Sequence, residues 1–416
     1  MQNKLKNLAY YGGKPSVEKS SFIPWPAPNT NHLNALQRVL DSGKFHRVNH
    51  PLIEELEARS REYCGTQYSR AVSSGSAALH VATNYFAEKG NSAIVCALNW
   101  PGAIAAIAHC GLDPIFVDTA EDGCIDEASA ISHMDKENVS LVQITHLFGN
   151  CASRNKLRSY ARAENIAIID DCAQAANVPR YLQNTLHLES DAYILSGNGA
   201  KHLASGELGL LSTNSIGLIE HVDNVSLSSS SRKGERIFSP SSLGYNYRPN
   251  VFSASIAIDR FNEIDEQIKI RRENAQYLVT HLEKLPGINR LFGMDYESSG
   301  FCSVPMRINF KALGLPETAE VRNRIVELLA AENVPVTVWL TRPVWEYIPI
   351  WKNKYDLDNY PNTKAILNSM FCISEIAPPN GISQLHAVVQ AFEKVWEAIN
   401  IFGIELFDTE KSNCEI

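Results

Sequence analysis

DAYILSGNGAKHLASGELG, residues 191–209, sets an apolar run, a glycine-rich turn, a lysine and a second glycine-rich turn in immediate succession. DAYIL (191–195) reads as a buried strand, which puts Lys201 on a constrained loop at that strand's carboxyl end. Ligands of open parallel sheets bind at such ends. A lysine held there and partly desolvated is a usable amine nucleophile, although a solvated loop is the commoner place for any single lysine.

Moving outward, the same pattern recurs on both sides. Strands are predicted at SRAVS (69–73), AIVCA (93–97), PIFVD (114–118), SLVQIT (140–145), IAIID (166–170) and LGLLST (208–213), with helices over 51–63, 101–110, 126–135 and 154–164. Continuous apolar strands alternating with helices indicate an α/β fold whose mostly parallel sheet is covered on both faces. Residues 224–243, Ser-rich and without apolar periodicity, read as a long surface loop. A helical run over about 250–285, shorter strands (RINF, VPVTVWL) and a last helix near 383–402 form a second α/β unit. The expected division is a large domain over 1–255 and a smaller C-terminal domain over 256–416.

Composition narrows the class. With 416 residues and 44% hydrophobic content, the chain can bury one large core and a smaller one. Lys and Arg number 38 against 46 Asp and Glu, and no dense basic run carries interleaved aromatics, so nucleic acid is not an expected partner. No apolar run approaches the ~18 residues of a membrane helix, and the opening MQNKLKNLAYYGGKPSVEK lacks the apolar core of a secretion signal. Nine scattered cysteines without a CxxC pair predict reduced thiols, a cytoplasmic location and no metal site.

Three further features fall at predicted strand ends. Ser74-Gly75-Ser76-Ala77 joins a strand to a helix, where small residues let backbone N–H groups and the helix dipole meet an anion; an ordinary tight turn is the blander reading. Asp170-Asp171-Cys172-Ala173-Gln174 puts two carboxylates at one strand end, where a cation is required: a metal, a basic side chain or a protonated heterocycle. One of the two, Asp170, suits a helix cap instead. Asn99-Trp100-Pro101-Gly102 offers an indole that covers a flat ring or merely fills core. In that chain order, an anion cradle, a stacking aromatic, a buried Asp and an activated Lys are what a pyridoxal phosphate site requires.

The sequence resembles the DegT/StrS-type (DegT/DnrJ/EryC1/StrS) sugar aminotransferases, a branch of fold-type I pyridoxal enzymes. LEARSREYCGTQYSRAVSSGSAALH, GLDPIFVD, THLFGN, IIDDCAQA, the S-x-x-x-x-K-x-L-x-x-x-E-x-G frame from Ser196 to Gly209, and GYNYR at 244–248 all resemble family segments, in order. The resemblance implies an aspartate-aminotransferase-like large domain, a smaller C-terminal α/β domain and pyridoxal 5'-phosphate as cofactor. It assigns the cofactor lysine to Lys201 and the pyridinium carboxylate to Asp171. Ring and phosphate contacts fall to Gly75, Ser76, Ala77, Trp100, Gln174 and Ser196, with Asn246 reaching the neighbouring subunit of a homodimer. It further implies ping-pong transamination from a small amino donor, Glu or Gln, to a keto-sugar or keto-cyclitol, with Lys201 as general acid and base.

FIPWPAPNTNHLNALQRVLDSGKFHR, NVFSASIAIDRFNEIDEQIKIR and YPNTKAI lean toward the cyclitol aminotransferase and 3-amino-5-hydroxybenzoate synthase-like branch. Arg47, His202 and Tyr247 are the expected substrate contacts, although a supporting imidazole is the commoner reading of His202. Departures are Leu208 where the family usually has glycine, His202 after the lysine, and VTVWLTRPVWEYIP in place of the family's Y-x-P-L-H segment. The rival readings are another pyridoxal reaction on this frame, an aminohydroxybenzoate synthase or a sugar dehydratase, and a non-catalytic regulator. The dehydratase branch replaces the lysine with histidine, and a regulator has no need of Lys201 or Asp171.

Overall fold

The computed structural model describes residues 5–47, 49–134, 138–227, 229–232, 235–238, 244–293 and 298–407. Seven strands build the main sheet: β1 (Tyr68–Val72), β2 (Ser92–Cys96), β3 (Asp113–Val117), β4 (Val139–Thr145), β5 (Ala167–Asp171), β6 (Ala192–Ser196) and β7 (Gly209–Thr213), in the order β1-β7-β6-β5-β4-β2-β3. β2 to β6 run parallel, while β7 is antiparallel to both β1 and β6. Every residue of β2, β4, β5, β6 and β7 is buried, as continuous apolar runs under helices on both faces demand.

Alternate side chains of one strand enter different cores. Ala192 and Ile194 pack with helices Gly75–Phe86, Pro101–His109 and Ile216–Leu227. Tyr193 and Leu195 pack with helix Pro51–Cys64 and the first half of helix Val251–Leu282. Local chemistry sets the helix ends. The His50 side chain accepts from Leu52 N and Pro51 takes the first helical position, while Gly65, at φ +68°, closes that helix in the left-handed region where a Cβ is costly.

The second sheet is antiparallel, in the order β10 (Ile288–Arg290), β11 (Val304–Ile308), β13 (Met370–Ile373), β12 (Val336–Thr337). It shares a core with helices Ala319–Ala331 and Ile382–Phe402. The Ser-rich stretch is not the simple surface loop expected. Its first residues finish helix Ile216–Leu227, and β8 (Ser229–Arg232) pairs antiparallel with β9 (Glu235–Phe238), while residues 228, 233–234 and 239–243 lie outside the described residues. Backbone pairing needs no apolar periodicity, so the composition gave no sign of it.

The predicted boundary at 255/256 falls inside helix Val251–Leu282, which carries Val251–Ile268 in one core and Ala275–Leu282 in another. The first residues belong in contact terms to the C-terminal unit. Buried Glu332 accepts from Ala9 N, Ser16 N and Ser16 Oγ, Asn380 accepts from Ile23 N, and Glu375 accepts from Trp25 N. Among the described residues no helix is long and apolar enough to cross a membrane.

Candidate active site

Strand ends β1, β4, β5 and β6 open into a cavity of about 470 Å³, within which Ser74, Gly75, Ser76, Trp100, Asp171, Gln174, Ser196 and Lys201 all contribute wall. Its size lies within the ~300–1,000 Å³ of small-molecule sites. At one end helix Gly75–Phe86 begins. Ser74 Oγ accepts from Ala77 N at 3.1 Å and Ser74 O from Ala78 N at 3.0 Å. The N–H groups of Gly75 and Ser76 precede those bonds and belong to residues on the cavity wall, the geometry that binds anions at helix starts. A Cβ on Gly75 would stand 3.2 Å from Ser196 Cβ, so glycine is what lets the helix start lie against Ser196. Ala77 corrects the expectation: its N–H is committed to the Ser74 cap and it is not a wall residue.

The two carboxylates ending β5 diverge. Asp170, fully buried, points away from the cavity. Arg158 donates to it through Nη1 (3.0 Å) and Nη2 (2.7 Å), and Ser190 Oγ donates as well. His146 accepts from Ala152 N at Nδ1, which leaves Nε2–H to donate to Asp170 Oδ1 at 3.1 Å. Burial opposes ionisation of Asp170, but the Arg158 guanidinium and His146 override it and hold the carboxyl well below the usual range. It therefore pairs with a basic side chain and caps no helix. Asp171 faces the cavity; burial raises its pKa, while the N–H of Ala173, at 3.1 Å from Oδ1, and the Lys201 amine pull it down.

Lys201 is fixed by a loop, three of whose carbonyls are each taken by a distant donor. Trp25 Nε1 donates to Lys201 O (3.0 Å), Gln267 Nε2 to His202 O (3.1 Å) and Arg260 Nε to Ala204 O (3.3 Å). Trp25 is itself held under the guanidinium groups of Arg260 and Arg271, 4.6 and 4.9 Å from its ring centroid. Nothing in the residues of FIPWPAP announces this grip. Leu208 is fully buried in the core, and its carbonyl accepts from Gly197 N at 2.8 Å, so this departure fills space behind the loop.

His202 is not a substrate contact. It is 1% exposed, off the cavity wall, with Nε2 2.9 Å from Gly300 O, and burial beside Arg271 brings its pKa down to about 3. Arg47 and Tyr247 also lie off the cavity in this chain. Arg47 Nη2 is 3.6 Å from Glu57 Oε1, and Tyr247 Oη is 2.9 Å from His80 Nδ1. Asn246 is exposed and at φ +57°.

The wall that sequence reasoning missed is Trp339, just after β12. Its ring stacks within 8° of parallel to Trp100, centroids 5.6 Å apart, and its centroid is 5.7 Å from Lys201 Nζ. Trp100 is 47% exposed, and its turn is held by Asn99, whose Oδ1 accepts from Trp100 N and whose Nδ2 donates to Thr145 Oγ1. Gln174 Oε1 accepts from Phe148 N at 2.7 Å, which leaves its NH₂ group to offer to a ligand. The cavity thus fits pyridoxal phosphate: a helix start for the phosphate, an indole for the ring, a buried carboxylate for a protonated ring nitrogen and a fixed lysine for the aldehyde.

A sheet of this order, with a lysine and a carboxylate at its strand ends, defines a pyridoxal-type α/β transferase. A family model described as the DegT/DnrJ/EryC1/StrS aminotransferase family matches residues 27–392. The chain belongs to that family, whose enzymes are pyridoxal-phosphate-dependent. It is 28% identical over 292 residues to L-glutamine:2-deoxy-scyllo-inosose aminotransferase of Streptoalloteichus tenebrarius, covering 66% of this chain and 68% of the relative. It is 25% identical over 307 residues to GDP-perosamine synthase of Escherichia coli O157:H7, covering 73% and 79%. The solved 3-amino-5-hydroxybenzoic acid synthase superposes with a TM-score of 0.81 at 20% identity, covering 92% of this chain and all of that one.

Proposed function

We propose that this aminotransferase moves an amino group from Glu or Gln to the keto group of a sugar or cyclitol in a biosynthetic pathway, with Lys201 and Asp171 as its catalytic residues. The observation that carries the reading is Lys201 and Asp171 on one cavity wall beside the Gly75–Ser76 helix start. Bound pyridoxal phosphate supplies the carbonyl that takes up the amino group and the ring that draws off the electron pair. With the cofactor in place, Lys201 Nζ would hold its aldehyde and, as base and acid, would carry the proton at the donor's α-carbon. Asp171 keeps a proton on the ring nitrogen. Gly75, Ser76 and Ser196 would hold the phosphate, Gln174 would offer its amide to the ring oxygen, and Trp100 would cover the ring face.

Two symmetric copies in the cytoplasm complete one another in this reading. Asn246, exposed and outside its own chain's cavity, reaches the partner's phosphate, with Arg47 and Tyr247 on the same side. Each chain comprises two domains, the first 25 residues or so docking on the second.

The test is to load the protein with pyridoxal phosphate, record its absorbance band, reduce with borohydride and map the labelled peptide. The label is expected on Lys201 and the band is expected to vanish in Lys201→Ala. A label on another lysine overturns the assignment. Screening Glu and Gln against keto-sugars and keto-cyclitols then identifies the acceptor.

A further inference from the structure

We infer that Trp339 is the specificity wall of the cavity: its indole receives the C–H face of a neutral, hydroxylated ring, so the acceptor is chosen by stacking. This rests on the proposed function and names how its substrate class is recognised.

Trp339 follows β12, so the second sheet delivers it to a cavity whose reactive residues hang from the first. Its centroid is 5.7 Å from Lys201 Nζ, which sets its face beside the reacting amine. The ring is also braced. Phe148 meets it edge-on, centroids 5.8 Å apart at 79°, and Phe148 is buried, held at φ +59° and tied through its N–H to Gln174 Oε1. Trp100 faces it nearly parallel. A braced, flat, apolar surface suits the C–H face of a pyranose or cyclohexane ring and gives an open chain little to grip.

The charges around it point the same way. Among the described wall residues Lys201 is the one cation, against Asp171 and Glu207. A carboxylate or phosphate next to the reacting carbonyl meets no second cation among the described wall residues, whereas hydroxyls meet acceptors. Glu207 already takes Asn198 Nδ2 on Oε1 at 2.9 Å, and its other oxygen remains to accept a ring hydroxyl.

The experiment uses cofactor-loaded, borohydride-reduced protein, which cannot turn over, and saturation-transfer NMR with two probes, cyclic myo-inositol and open-chain sorbitol. The wild type is expected to transfer saturation to the ring C–H protons of myo-inositol and little to sorbitol. The ring signal is expected to fall about fivefold in Trp339→Ala and less in Trp339→Phe, in line with the worth of one aromatic contact. The absorbance of the bound cofactor should be unchanged in both variants, which separates a lost wall from a lost fold. An undiminished ring signal in Trp339→Ala, or equal signals from the two probes, overturns the inference and leaves the Lys201 assignment untouched. Loss of the label from Lys201 instead overturns the functional reading, and with it the inference that rests on it.

Discussion

Asp170 and Asp171 are neighbours at the end of β5, yet they stand on opposite faces of the sheet and in opposite electrostatic surroundings. On the far face, Asp170 meets a guanidinium, an imidazole and a hydroxyl and stays ionised. On the cavity face, Asp171 has a backbone N–H and a lysine amine, and burial raises its pKa. The alternation of a strand is enough to separate them. One carboxylate has its counter-charge built into the protein, and the other is left to a ligand's. The first is a matter of stability and the second of chemistry.

That division can be broken from either side. Asp171→Asn is expected to lower the rate of the amino-donor half-reaction by about 10²-fold or more, because a neutral amide does not hold the ring proton. Its melting temperature should be unchanged or raised, since a group whose ionisation is disfavoured by burial is replaced by a neutral one. Stopped-flow absorbance against a good donor, beside a thermal melt, measures both; a near wild-type rate removes Asp171 from the chemistry.

Asp170→Asn should do the reverse. It leaves Arg158 buried without its anion, a change that costs about 3–5 kcal/mol in comparable settings. Denaturant unfolding should show that loss, while the cofactor band of the protein that remains folded is unaltered. Wild-type stability from this group is present above the ordinary carboxylate pKa and is lost as pH falls through the depressed native value. A variant as stable as wild type would show that the Arg158 pair contributes nothing net.

His202 supplies the sharpest test. Its native pKa of about 3 lies below the unfolded 6.5, so the unfolded chain binds a proton that the native one refuses. The sign is therefore a stability present in full above pH 6.5 and lost as pH falls from there toward 3, by about 1.4 kcal/mol per pH unit for this one group. His202→Gln, which keeps a donor for Gly300 O, should flatten the stability profile over that window by one proton. An unchanged slope means that His202 is protonated in the native state.

Much of this was legible in the sequence, for a physical reason. Strands buried on both faces must be apolar throughout, so IAIID and DAYIL announced β5 and β6 to within a residue. The Ser74–Ser76 turn and Lys201 were marked by local chemistry that needs glycine and small residues beside it. What escaped depends on contacts between distant segments. His202 reads as a polar residue beside a catalytic lysine until Gly300 and Arg271 close over it. Trp339 sits in a stretch that reads as an ordinary strand, and only the second sheet's placement turns it into a wall. Trp25 lies 176 residues from the carbonyl it grips.

That last grip bears on the order in which the site comes into being. The loop of Lys201 draws its donors from Trp25 on one side and from Arg260 and Gln267 on the other. A ribosome releases Trp25 first, then the loop, and only some sixty residues later the helix that carries the two remaining donors. Until that helix emerges, the lysine is an amine on an unsecured turn, and Trp25 lacks both of the guanidinium groups that hold its ring. The loop of Lys201 thus stays unsecured in the nascent chain until about two-thirds of the 416 residues have been made.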